Sequence, residues 1–321
     1  MNQNIVFSLS RRQNTRVVCS AATVEPNGKS ALITGANTGI GFETAKSLAA
    51  QGYATVLACR NIEKGRAARD KIKGELPGTR VEAVPLDLTD LSTIRSFANK
   101  ALDGGRPLDV LVNNAGVMAT PEMRTKDGFE LQLGTNHLGH FLLTTMLLPM
   151  LTDPSRPSRI VNVSSSAHMF GKINFEDLQS RRSYQPWIAY GQSKLANVLF
   201  TYELARRLPL DANLTVNALH PGVVQTELQR YLVPDPVPWW QVPLLQAASL
   251  FLKTPVQGAA TSIYLASSPE VEGISSKYWV DCKPVASSKA SYDTDVARKL
   301  WEVSEELTGA DATVPAAQTV R

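Results

Sequence analysis

From Lys29 onward, short β-branched and aliphatic runs alternate with longer stretches whose apolar positions recur at helical spacing. Strands are expected at 31–34, 54–58, 81–86, 109–113, 159–164, 213–219 and 277–280, with helices filling the gaps. These strands are apolar throughout rather than alternating, which is how strands read when helices cover both faces of a parallel sheet. Right-handed crossovers then leave a doubly wound, seven-stranded α/β sheet as the economical topology, with ligands at the strands' carboxyl ends. The run FLLTTMLLPML, 141–151, is apolar nearly all round and reads as core. One stretch breaks the rhythm: residues 233–252 carry four prolines and Trp239-Trp240, the makings of a lid spanning about 225–252.

The first expected strand runs into Gly35-Ala36-Asn37-Thr38-Gly39-Ile40-Gly41 and then a helix. A glycine-rich turn between strand and helix suits a dinucleotide pyrophosphate. Gly35 permits the tight turn, Gly39 lets the backbone approach the phosphates, and Gly41 lets the helix pack on the strand. The second strand ends in Arg60-Asn61, where an acid would grip a ribose 2′-hydroxyl. An arginine there offers a bidentate contact to a 2′-phosphate, so NADP(H) is favoured over NAD(H). Asp87 can accept from the adenine amino group, with Leu88 beside it, and Asn114-Ala115-Gly116 closes the fourth strand along the cofactor's path.

Tyr190 and Lys194 lie four residues apart on an expected helix, so phenol and ammonium share one face. The adjacent cation is expected to stabilise phenolate and bring the group toward a pH range where it exchanges protons. Ser164-Ser165-Ser166 closes the fifth strand, where a hydroxyl can polarise a substrate carbonyl. Asn136, in the helix after the fourth strand, can hold a water that relays protons to Lys194. After the sixth strand, Pro221, Gly222, Val223 and Thr226 offer a fixed turn, a backbone amide and a hydroxyl to a nicotinamide carboxamide.

In this order, TGxxxGIG, NNAG, NVSS, YxxxK and PGxxxT resemble the short-chain dehydrogenases/reductases over nearly all of 29–308. The resemblance implies a single-domain Rossmann fold over 29–321, delivery of the pro-S hydride, and Asn136, Ser165, Tyr190 and Lys194 as the catalytic set. LACRN, GFELQLGTNHLGHFLLT, AYGQSKLANVLFT and KYWVDCK look like the retinol dehydrogenase branch and its plant and algal chloroplast members. The expected activity is NADP(H)-dependent interconversion of a lipophilic aldehyde or ketone and its alcohol. Two alternatives stay open: a protochlorophyllide reductase-like enzyme, and a membrane-associated NADPH redox sensor with little catalysis.

Composition refines this picture at the edges. Residues 1–28 carry Arg11, Arg12 and Arg16 against Glu25, a net +2, while the whole chain is +4. The body is therefore too weakly basic to argue for nucleic acid. The leader has no acid before Glu25 and several Ser, Thr and Asn residues, the composition of a chloroplast transit peptide. At 321 residues with no linker, one large domain is preferred. Cys19, Cys59 and Cys282 form neither a metal pattern nor a CxxC pair, and His137 and His140 have no acid or thiol spaced to complete a metal shell. No run of apolar residues is long enough to span a bilayer, which leaves peripheral membrane contact and oligomerisation open.

Overall fold

A computed structural model describes residues 23–209, 211–224 and 252–311. The leader before Thr23, Thr226 and most of the lid expected at 225–252 lie outside these described residues. Seven strands run parallel: β1 (Ser30–Thr34), β2 (Ala54–Cys59), β3 (Val81–Pro85), β4 (Val110–Asn113), β5 (Ser158–Val163), β6 (Leu214–His220) and β7 (Tyr278–Val280). Each falls within a residue or so of its expected span. An eighth strand, β8 (Lys283–Val285), was not expected and pairs antiparallel with β7, giving the order β3-β2-β1-β4-β5-β6-β7-β8. Asp281 and Cys282 both take positive φ, 51° and 59°, so a two-residue loop turns the chain straight back. That is the backbone of the tight hairpin turn usually signalled by Asn-Gly or Asp-Gly.

Strand order reverses between β1 and β4, so the turns leaving these two strands open a crevice at their carboxyl ends. Helices α1 (Gly39–Ala50), α2 (Ile62–Glu75) and α7 (Pro255–Ser267) cover one face, burying Ile33, Leu48, Leu57, Ile72 and Leu265. The other face carries α3 (Leu91–Asp103), α5 (Gly139–Leu151), α6 (Pro186–Arg207) and α8 (Thr294–Thr308). Phe141, Phe200 and Trp301 meet there, with the Phe200 and Trp301 rings stacked at 5.8 Å. The apolar run 141–151 is core, as its all-round hydrophobicity demands. Trp301 is 2% exposed, so α8 buries one face although its outer face carries both charge signs.

The segment around Asn136 departs from a plain α-helix. A short turn, α4 (Leu131–Leu133), passes into a π-helical turn at Gly134–Leu138 before α5 begins. Such wide turns shift the residues that follow and recur at functional sites.

Candidate active site

The crevice is a cleft of about 600 Å³, lined from the glycine turn to Tyr190 and Lys194. At its phosphate end the backbone must come close. Gly35 has φ +64°, and a Cβ on Gly41 would lie 2.4 Å from Asn114 Nδ2 and 2.6 Å from the Gly35 carbonyl. No side chain fits at Gly41 without displacing that turn.

Thr34 ties this turn to the next one. Its Oγ1 accepts from the backbone N–H groups of Asn114 and Ala115, both at 2.9 Å, while Asn114 Nδ2 donates to the Thr34 carbonyl at 2.8 Å. His140 Nδ1 lies 3.0 Å from the Asn136 carbonyl, which can only accept, so the proton sits on Nδ1. Nε2 therefore accepts from Thr34 Oγ1 at 2.9 Å. Burial pushes the His140 pKa down to about 4, so the ring is neutral and this tautomer persists at neutral pH. His137 instead reaches Ser304 Oγ at 2.9 Å, so the two histidines serve different partners. Spacing alone gave no sign of the Thr34–His140 link, which joins residues 106 apart.

The adenosine end gathers Arg60, Asn61, Asp87, Leu88 and Lys64. Asn61 caps α2 by accepting from the Lys64 N–H at 3.0 Å, and one Asp87 oxygen already accepts from Thr89 N and Oγ1. Lys64 was not expected here. It follows from β2 ending at Cys59 and α2 starting at Ile62, which brings the helix's first turn to the cleft.

At the opposite end Tyr190 is 3% exposed, and the Ser165 hydroxyl lies close enough to its own to favour the ionised phenol. Ser165 caps a 3-10 turn by accepting from the Ala167 N–H at 3.2 Å. His168 steadies its backbone: Nδ1–H donates to the Ser165 carbonyl at 2.7 Å, and Nε2 accepts from the Ser288 N–H at 3.1 Å. Lys194 Nζ donates to the Val163 carbonyl at 3.1 Å and lies 5.7 Å from the centroid of the Tyr190 ring. Asn136 accepts from the Val117 N–H at 2.8 Å and donates to the Val117 carbonyl and to Ser193 Oγ, both at 2.9 Å. Both amide hydrogens are thus used, and a water relay through this side chain would have to use the remaining lone pair of Oδ1.

The expected acidic phenol is not what the protein's own groups produce. Burial pushes the Tyr190 pKa up to about 12, opposed only in part by the Ser165 hydroxyl. Burial likewise pushes Lys194 down to about 8. Lys194 thus loses its proton before Tyr190 does, and its charge is gone by the pH at which the phenol titrates. Tyr190 is therefore held as a protonated donor, and the additional charge that would lower its pKa has to come from whatever occupies the cleft.

The turn after β6 places Pro221, Gly222 and Val223 on the cleft wall. Gly222 has φ +88°, and a Cβ there would meet the side chain of Lys253, which pairs with Asp281. The sequence contained no sign of Lys253 in this role.

The profile of the short chain dehydrogenase family matches residues 29–236, within which the glycine turn, Ser165, Tyr190 and Lys194 all fall. The chain belongs to the short-chain dehydrogenase family. It is 48% identical to human retinol dehydrogenase 14 over 297 residues, covering 88% of this chain and 87% of the human protein. Human retinol dehydrogenase 11 is 46% identical over 299 residues, covering 93% of this chain and 91% of that protein. A solved protein from Mycobacterium paratuberculosis superimposes with a TM-score of 0.72 at 39% identity, over 92% of this chain and all of that one. This short-chain dehydrogenase is thus a retinol dehydrogenase-like oxidoreductase acting on CH–OH groups, of a family that binds nicotinamide cofactors. Among related structures both forms occur: a Beutenbergia cavernae protein holds NADP, and a 3-ketoacyl-(acyl-carrier-protein) reductase from Brucella melitensis holds NADH.

Proposed function

We propose that this enzyme uses NADP(H) to interconvert an apolar aldehyde or ketone and its alcohol, with Tyr190 delivering and recovering the proton. The reading rests chiefly on the two ends of one cleft, with Arg60 and Lys64 beside the end of β2 and the Tyr190–Ser165 pair at the other. The glycine turn fits a pyrophosphate because its backbone is bare where a Cβ would collide. Arg60 and Lys64 would hold a 2′-phosphate, and Gly222 and Val223 would border the nicotinamide. When bound, that cofactor supplies or takes the hydride.

The rest belongs to the chain. Ser165 orients a carbonyl oxygen through its hydroxyl, and Tyr190, neutral and protonated at physiological pH, hands its proton to that oxygen as charge develops. Lys194 then faces a phenolate, whose charge its ammonium stabilises. Burial of both groups strengthens this attraction relative to water. Phe170 and Trp187, 59% and 47% exposed, line the cleft and favour an apolar substrate. A retinoid-like polyene alcohol, the kind named for the human relatives, belongs to that class.

The test is turnover with NADPH and with NADH over a series of aldehydes from acetaldehyde to retinal. Preference for NADPH and rising kcat/KM with chain length support the proposal; NADH preferred over NADPH by the native chain refutes its cofactor half. A plastid destination, read from the composition of the leader, belongs to the same proposal and is tested by fusing residues 1–28 to a fluorescent reporter.

A further inference from the structure

Away from the cleft, a larger groove of about 1030 Å³ opens on the α3 side of the sheet's outer strands. It follows from strand alternation. Leu57 and Cys59 of β2 and Val81 of β3 join the core under α1 and α2, while Val56 and Val84 turn to the other face. There α3 packs beside α5, and Val56, Val84 and Phe97 remain only partly buried. The floor is thus Leu32, Val56 and Val84, with Phe97 as one wall and Leu108 and Met150 at the inner end.

The groove's amino-edge rim is basic. Arg80 precedes β3, Lys100 sits in the last turn of α3, and Arg106 lies before β4, all three exposed. None makes an ion pair among the described residues. Glu82, in register with Val56 and on the same face, is the acid at this end, Asp87 lying beyond the carboxyl end of β3, so this end stays net positive. Thr23 packs against Gly78, and the chain before it is a charged segment with no acid of its own. That leader carries three arginines and no acid, so like charges oppose its entry.

An apolar floor with unpaired cations at one end complements an apolar chain with one anionic head. We propose that the groove binds a free linear amphiphile of the fatty-acid class. Its carboxylate lies at Arg80, Lys100 and Arg106, and its hydrocarbon lies along Val56, Val84 and Phe97. The volume is at the upper end of the roughly 300–1,000 Å³ usual for small-molecule sites. Arg60, Leu86 and Asp87 line both this groove and the cofactor cleft, so an occupant abuts the adenosine end.

The experiment is calorimetric titration of the full chain, saturated with NADPH, with dodecanoate below its micellar concentration. One-to-one saturable binding is expected, at least tenfold weaker for dodecanol, for Val84→Asp, and for the pair Arg80→Glu with Lys100→Glu. Unchanged NADPH turnover with a short aldehyde in those variants shows that they are folded. No saturable binding overturns the proposal. So does binding insensitive to the groove variants but lost in Trp187→Ala, which places the ligand at the substrate mouth. Vesicle sedimentation or a dimer mass, lost in the groove variants while dodecanoate fails to bind, overturns it too, by naming a membrane or a second copy as the occupant.

Discussion

Replacing Lys194 by methionine should abolish turnover and yet stabilise the fold. Lys194 is 4% exposed, and burial pushes its pKa from 10.5 to about 8. A lysine pKa lower in the folded chain means that folding disfavours its charge. The penalty is full below the folded pKa near 8 and fades as pH rises toward 10.5, where the unfolded chain also loses the proton. At about 1.4 kcal/mol per unit, the shift corresponds to roughly 3 kcal/mol at pH ~7 and about half of that at pH ~9.5. Methionine is unbranched and of similar length, so packing is largely kept. Against the gain stands the bond from Nζ to the Val163 carbonyl, worth about 1 kcal/mol; that carbonyl keeps Asn197 Nδ2 at 3.4 Å. The net expectation is about 2 kcal/mol of added stability at pH ~7 and under ~1 kcal/mol at pH ~9.5. Urea unfolding followed by tryptophan fluorescence reads this as a midpoint raised by roughly 0.7–1 M at the lower pH. An unchanged or lower midpoint there, or an equal gain at both pH values, would show that Lys194 carries no burial penalty.

Arg60→Asp should lower kcat/KM for NADPH at least tenfold and raise it for NADH, since a carboxylate repels a 2′-phosphate and accepts from a 2′-hydroxyl; a preference that stays put removes Arg60 from the cofactor site. Gly41→Ala should leave the circular dichroism spectrum near native but weaken NADPH binding at least tenfold, because its Cβ displaces the Asn114 amide at 2.4 Å. Gln192→Leu should destabilise by about 1–3 kcal/mol, measured by thermal unfolding, because Gln192 accepts from the Asn174 N–H and donates to the Leu178 carbonyl, holding the segment between Ser165 and Tyr190. Carbonyl reduction at saturating substrates should fall as pH rises through about 8, where Lys194 loses its proton; a rate flat to pH ~9.5 counts against an ammonium that stabilises the phenolate.

What could be read from the sequence was whatever short-range pattern determines. The seven parallel strands followed from uninterrupted apolar runs, and the switch-point crevice followed from their order. The glycine turn, Tyr190 and Lys194 carry their geometry in their spacing, and the structure brings them with Ser165 to one cleft, while Asn136 is buried behind it on Val117 and Ser193. The antiparallel β8 escaped because Asp281-Cys282 is a poor signal for two consecutive residues at positive φ. His140 and Lys253 escaped because each acts through a partner distant in the chain, Thr34 and Asp281. The phenol's pKa was misread for a related reason. The i,i+4 spacing correctly put a cation near Tyr190, at 5.7 Å from its ring, but burial depends on the whole fold and outweighs that neighbour.

The most direct test of the account is the rate of NADPH consumption by Tyr190→Phe with a saturating aldehyde, read beside NADPH binding by fluorescence. Removing one oxygen should leave binding intact and cut turnover by roughly 10²–10⁴, the usual worth of a positioned proton donor. Turnover within a few fold of the native enzyme, with binding unaltered, would mean that the proton comes from elsewhere.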